Sequence, residues 1–388
     1  MKIEELLFLL LRIDICGSKV NNKALEPLSM EKLKAVYDLS RKHDLTHIAG
    51  QALSNLGMLG TDDISENFKM ATMQAVYRYV QMNYAYGQLC CAFESAQIPF
   101  LPLKGAVIRH CYPEPWMRTS CDIDILVHEE ELERAIKVLV NELGYRNEGR
   151  GYHDVSLFSP GNIHVELHFS LMNESRFPKA EMILSDIWSD LHPLQSNGKQ
   201  LQMTDELFYF YHVLHMASHF CNGGCGIKPL LDLWILNHKV GQNREKRELL
   251  LREGGLLTFE QATCDLSEVW FSGKIHTKLT QEMESYILNG GVYGTLENMA
   301  AVQQVKKGGK VKSVLYKIFL PYSLLKGHYP ILKKHKWLLP FCQMTRWLRL
   351  LSRSRWKRSL RELKINAEIS TAQISSTADL LKALDLQY

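Results

Sequence analysis

The stretch Arg118-Thr-Ser-Cys-Asp122-Ile-Asp124-Ile-Leu-Val127 sets two carboxylates one residue apart. From Cys121 onward, polar and apolar residues alternate until an apolar end. This pattern predicts a strand with Asp122 and Asp124 on one face. Two carboxylates held that close repel each other unless a cation lies between them. Burying them without a partner is costly, so the pair calls for a metal ion, a group of arginines or open water.

Upstream, Ile98-Pro99-Phe100-Leu101-Pro102-Leu103 reads as a short strand, and its two prolines mark a sheet edge or the strand's ends. Lys104-Gly105-Ala106 then turns into a brief helix through Cys111, closed off by Pro113 and Pro115. Downstream, a helix is predicted from Glu129 to Leu143, with acids at its N-terminus and Gly144 as its stop. Two further strands, Val155 to Phe158 and Ile163 to Phe169, flank the hairpin signal Ser159-Pro160-Gly161-Asn162. On either side of this unit the pattern is helical. The expected class is α+β, a small mixed sheet inside a mostly helical chain. The expected regions are helical 1–96, an α/β core 97–175, a helical region 176–300 lining the cleft, and a basic helical region 301–388.

Within the hairpin His164, Glu166 and His168 alternate, so they project to one face. If that strand lies beside the aspartates, Glu166 completes a three-carboxylate pocket. Such oxygen ligands suit Mg²⁺ or Mn²⁺, which keep positions open for water and substrate phosphate. Two metals so held activate an attacking hydroxyl and stabilise the leaving oxygens of an in-line displacement at phosphorus. Lys104-Gly105 supplies a cation and backbone N–H groups for the far phosphates. Arg118 is read either as a phosphate ligand or as a surface partner of Glu114. For His168 the readings are orientation of Glu166, contact with substrate, or a buried hydrogen-bonded ring.

Those residues carry a resemblance. The span from about Leu103 to Phe169 resembles the nucleotidyltransferase superfamily: a glycine-containing turn, a strand with Asp-x-Asp, then a third carboxylate on a later strand. More narrowly, Lys104-Gly105, Tyr112, Arg118, Asp122-Ile-Asp124, Gly144-Tyr145 and Glu166-Leu-His168 resemble a bacterial branch described as uncharacterised nucleotidyltransferase. The likeness extends to His212-x-x-His215-x-x-x-His219, Leu231-Asp232-Leu233 and Tyr329-Pro330 to Leu339-Pro340. It implies transfer of a nucleoside monophosphate from an NTP to an acceptor, with release of pyrophosphate. Asp122 and Asp124 are then the metal ligands, and Glu166 is the third ligand or helps deprotonate the acceptor. The pattern departs from the family in having Gly105-Ala106 for Gly-Ser, a longer interval to Asp122, and Glu in place of Asp at the third position. A nucleotide-binding protein that has lost catalysis is the first rival reading.

The chain has 388 residues, 46% hydrophobic, enough for more than one core. Its formal charge of +4 is unevenly spread. Residues 306–364 hold seventeen Lys or Arg against one acid, Glu362, and the remainder is net acidic. That segment, with Trp337, Trp347 and Trp356 beside Arg346, Arg349, Arg353 and Arg355, reads as an anion footprint, either nucleic acid or membrane surface, or as a solvated helical face. Nine cysteines without framework spacing, and an acidic amphipathic start in place of a leader, lead to a reducing cytoplasm as the expected compartment. No apolar run is long enough to predict a membrane span. His212, His215, His219, Cys221 and Cys225 lack zinc-finger spacing. His215 and His219 are instead expected to line the cleft and contact substrate. The stripe Met70, Met73, Val76, Tyr77 and Val80 is read as core packing. The polar stretch from Ser370 is either loosely ordered or a docking helix anchored by Leu380, Leu381 and Leu384.

Overall fold

The computed structural model describes residues 1–17, 28–151, 153–171, 176–239, 243–292, 294–350, 361 and 364–386. Helices α1 (Ile3–Asp14), α2 (Met30–Lys42), α3 (Thr46–Asn55) and α4 (Asp63–Ser95) come first. The sheet region then runs β1 (Phe100–Pro102), α5 (Gly105–Ile108), β2 (Asp122–Val127), α6 (Leu132–Asn141), β3 (Arg146–Arg150), β4 (Asp154–Phe158) and β5 (His164–His168). Helices follow: α7 (Pro178–Leu184), α8 (Asp205–Phe220), α9 (Lys228–Lys239), α10 (Arg244–Glu253), α11 (Leu257–Ser272), α12 (Lys278–Gly290) and α13 (Leu296–Lys307). Beyond these lie α14 (Lys310–Ile318), α15 (Tyr322–His328), α16 (Leu339–Leu350) and a helix at Thr371–Ala383.

The sheet order is β1-β2-β5-β4-β3. Only the β2–β5 pair is parallel; the others are antiparallel. The class is α+β, a small mixed sheet in a largely helical chain. β1 lies at the sheet edge with its prolines at its ends, and that edge is closed by Lys199, whose carbonyl accepts the Phe100 N–H at 3.0 Å. β3 was not expected. Its sequence Arg-Asn-Glu-Gly-Arg is exposed at every position, so no apolar alternation marks it.

The period of two sorts β2 between two cores. Ile123, Ile125 and Val127 pack with α4 and α6 through Phe93, Leu89, Leu132 and Leu139. Leu126, on the opposite face with Asp122 and Asp124, joins a larger core of helices. That larger core unites α1, α2 and α3 with α8, α9 and α11, so helices from before and after the sheet share one interior. Phe8 stacks on Trp270 with ring centroids 4.6 Å apart, and the Arg12 guanidinium donates to the carbonyls of Trp270 (2.6 Å) and Val269 (3.1 Å). Leu380, Leu381 and Leu384 are buried in the same core, which fulfils the docking-helix reading.

One expectation fails. Met70, Met73, Val76, Tyr77 and Val80 face outward, with Tyr77 66% exposed. The buried side of α4 is instead Phe68, Ala75, Met82, Ala85, Leu89 and Phe93. Phe68 packs into the helical core beside Tyr37, while Met82, Ala85, Leu89 and Phe93 pack under the sheet, and these two partners together choose the buried face of α4.

Because Phe8 seals α1 onto α11, Phe8→Ala is expected to cost about 3–5 kcal/mol of stability by opening a cavity. Denaturant melts of the variant should show it; an unchanged midpoint would mean α1 is not docked there.

Candidate active site at the paired aspartates

β2 and β5 run side by side in a register that sets Asp122 against His164 and Asp124 against Glu166. Paired residues on neighbouring strands point to the same face, so the three carboxylates share it, with Glu166 close to each aspartate. Asp122, His164 and Glu166 present ligand atoms all within 4.8 Å of one another, and so do Asp124, Glu166 and His168. Glu166 belongs to both groups. The parallel pairing is what brings a carboxylate forty-odd residues away in sequence to the Asp-x-Asp strand.

The charges are unequally compensated. Asp124, 4% exposed, accepts hydrogen bonds on one oxygen from Lys104 Nζ and His168 Nε2, each at 2.8 Å. Burial alone would raise its carboxyl, but the Lys104 ammonium and the His168 ring hold it well below the usual range. His168 Nε2 also lies 3.5 Å from Glu166 Oε2, and that bond lowers the glutamate against the opposing effect of its burial. Burial lowers the imidazole of His168, yet its bonds to Asp124 and Glu166 outweigh this and raise it. Asp122 goes the other way. Burial, then the neighbouring Asp124 and Glu166 charges, push its carboxyl up to about 6. At Asp122 the two acidic neighbours thus add to burial, and Lys104 and His164 offset them only in part. The donor set of carboxylate oxygens fits a hard divalent ion.

Lys104 is held where it can serve by a strained backbone. Its φ is +43°, a region that a side chain rarely adopts, and such strain concentrates at working sites. Gly105 follows because there is no room for more. A Cβ there would meet the Ser120 Cβ at 3.1 Å. The Arg109 guanidinium donates to the Gly105 carbonyl at 2.6 Å and to Ser120 Oγ at 2.9 Å, clamping this turn to the start of β2.

Arg118 makes contacts other than those read from sequence. Its Nε donates to Asp232 Oδ1 at 2.7 Å, its Nη2 to Oδ2 at 2.8 Å, and its Nη1 to the Thr119 carbonyl at 2.6 Å. Asp232 is fully buried and also accepts from the Tyr112 hydroxyl at 2.7 Å. All three guanidinium nitrogens are thus spent on holding the loop before β2 to α9, and the expected partner Glu114 is not used. The signal for this pair was present: an aspartate inside Leu230-Leu-Asp232-Leu-Trp-Ile-Leu236 needs a buried cation.

His215 and His219 sit one turn apart on α8 with their Nε2 atoms 3.2 Å from each other. Burial lowers both rings, and the positive charge of Lys104 lowers them further, which places this helix face beside the Lys104–Asp124 pair. Sequence reading missed Tyr211 on that face, a buried phenol pushed up to about 12 chiefly by burial, with Lys104, Asp124 and Glu166 all close enough to act on it. No motif marks it; a tyrosine in Phe208-Tyr-Phe-Tyr211 looks like core. His212 turns elsewhere, its ring 3.1 Å from the Pro229 carbonyl. Among the described residues, the groups of three or more that could take a metal are the two at the aspartates; Cys221 and Cys225 are in neither.

Removing one partner of a buried ion pair leaves an uncompensated charge, so Arg118→Ala should cost about 3–5 kcal/mol of folding stability. Thermal melts distinguish this from a phosphate contact, which would leave the melting temperature unchanged. A second expectation concerns pH. The folded Asp122 carboxyl, raised above its unfolded value, binds its proton more tightly than the unfolded chain does, so the metal-free fold loses stability as pH rises through about 6. A divalent cation binds the ionised form. Stabilisation by Mn²⁺ should therefore be large at pH 7.5, shrink as pH falls through about 6, and vanish in Asp122→Asn; a pH-independent shift would refute the site.

A family model described as uncharacterised nucleotidyltransferase matches residues 29–272, a span that holds β1 to β5, the three carboxylates, Lys104, Asp232 and the α8 histidines. No curated protein and no solved structure matches the chain. With that match over more than half its length, the chain belongs to the uncharacterised nucleotidyltransferase family.

Proposed function

We propose that this protein is a metal-dependent nucleotidyltransferase that moves a nucleoside monophosphate from an NTP to an acceptor hydroxyl, releasing pyrophosphate. The observation that carries the reading is the convergence of Asp122, Asp124 and Glu166 on one sheet face, with the Asp122 carboxyl raised by burial and by its two acidic neighbours. Mg²⁺ or Mn²⁺ held by these three would supply charge neutralisation at the triphosphate and a more acidic acceptor hydroxyl.

In the reaction the acceptor oxygen bonds to the α-phosphorus while the bond to the α,β-bridging oxygen breaks, its electron pair leaving with pyrophosphate. The acceptor proton passes to the carboxylate cluster, where Glu166 is positioned to take it. His168 fixes both Asp124 and Glu166, so it sets the geometry of two of the three carboxylates. Lys104, whose ammonium is partly exposed, balances Asp124 and faces incoming phosphate. His215 and His219, kept neutral by burial and by Lys104, can hydrogen-bond substrate without adding charge. Gly105-Ala106 offers no hydroxyl at the turn, so phosphate recognition there rests on the backbone and Lys104.

The test is purified protein with α-labelled NTPs and Mn²⁺ or Mg²⁺, following pyrophosphate release and label transfer to protein, RNA or small molecules. Asp122→Asn should lower turnover by at least about a thousandfold, in line with loss of a metal ligand that acts in the transition state, while the fold is kept. Chelation by EDTA should do the same. Wild-type protein that binds NTP but releases no pyrophosphate with any acceptor would establish the non-catalytic reading, as would full turnover in Asp122→Asn.

A further inference from the structure

The basic C-terminal region carries apolar surface that its own packing does not use. α15 and α16 enclose a small core of Leu325, Leu332 and Cys342, with Leu338 and Leu339 beside it. On the other side, Trp337, Phe341, Met344 and Leu348 follow one another at helical spacing, with exposures of 68%, 57%, 55% and 61%. α14 has a matching outward stripe, Val311, Leu315 and Ile318. The two meet at Trp347, whose ring lies edge-on to Phe319 at 5.5 Å and whose Nε1 donates to the Ile318 carbonyl at 2.9 Å. Exposed apolar side chains gathered on two touching helices of a folded protein mark a docking surface.

The charges around it identify the partner. Lys312, Lys326, Lys333, Lys334 and Lys336 are all exposed, and the segment from 306 to 364 contains a single acid. Trp356 and the cations from 351 to 360 lie outside the described residues. Tryptophan and phenylalanine flanked by lysines match the two halves of a lipid interface, acyl boundary and anionic headgroup. Nucleic acid would account for the cations but leaves an aliphatic stripe without a role, because its contacts are phosphates and base faces. No helix among the described residues is long and apolar enough to cross a membrane, so the arrangement is one for lying on a bilayer.

We infer that the face formed by α14 and α16 docks this protein on anionic lipid membranes. Full-length protein is to be co-sedimented with vesicles of phosphatidylcholine alone and of phosphatidylcholine mixed with phosphatidylglycerol, across a range of salt. Binding is expected to the mixed vesicles only, weakening as salt rises. The double variant Phe341→Ser, Leu348→Ser and the triple variant Lys333→Gln, Lys334→Gln, Lys336→Gln should each bind about tenfold more weakly or worse. These side chains are exposed, so melting temperatures should match the wild type; an arm whose variant melts early is replaced by Met344→Ser or Lys312→Gln. Equal binding to both vesicle types, or an unweakened Phe341→Ser, Leu348→Ser variant, overturns the inference. So does tight binding to duplex DNA or single-stranded RNA that ignores the apolar variant while vesicles are not bound. Turnover of NTP plays no part in these readouts, so the membrane inference and the catalytic reading fail separately.

Discussion

Mutual repulsion among Asp122, Asp124 and Glu166 is the constraint around which this protein is built. Three carboxylates on one face of two adjacent strands are held together only because cationic groups are brought to them. Lys104 and His168 both bond the same oxygen of Asp124. The balance stops there, and Asp122 is left with its carboxyl raised to about 6. A fold optimised for stability would relieve that excess. In the function we propose, keeping it leaves a place for a divalent ion, a common trade of stability for function.

Much of the surrounding structure follows from placing Lys104. Its backbone is strained, Gly105 behind it has no space for a side chain, and Arg109 ties the turn to Ser120 at the head of β2. The loop between them is fastened to α9 by the buried Arg118–Asp232–Tyr112 group. A second polar tie joins the same loop to the N-terminal helices, where Lys228 donates to Thr119 Oγ1 at 2.8 Å and pairs with Asp44. The loop therefore links the sheet to helices from both ends of the chain. On α8, Tyr211, His215 and His219 are buried within the electrostatic reach of the Lys104–Asp124 pair.

The resemblance to nucleotidyltransferases rested on residues whose roles differ in kind. Asp122, Asp124 and Glu166 form the cluster to which we assign the chemistry, whereas Tyr112, Arg118 and Asp232 bond one another and tie the loop before β2 to α9. A motif records both without distinguishing them. The membership of the chain in this family extends over 29–272, so the basic region carrying the apolar face of α14 and α16 lies beyond it. That region serves location in our reading, and the carboxylate site serves chemistry.

The site strand, the hairpin and the helices were legible from local pattern, because period two and period 3.6 are written in adjacent residues. So was the shared face of Asp122 and Asp124, and of His164, Glu166 and His168, since alternation settles it without any neighbour. What pattern leaves open is which of two acceptable partners a side chain takes. The Met70 to Val80 stripe and the Phe68 to Phe93 stripe of α4 are both apolar, and only the packing of the N-terminal helices and the sheet against α4 selects the second. Arg118 had two eligible acids, and only the packing of α9 supplied Asp232. β3 carries no apolar signal and exists because β4 offers it an edge. The meeting of Glu166 with Asp124 depends on β2 and β5 becoming parallel neighbours, a long-range pairing that no window of sequence contains.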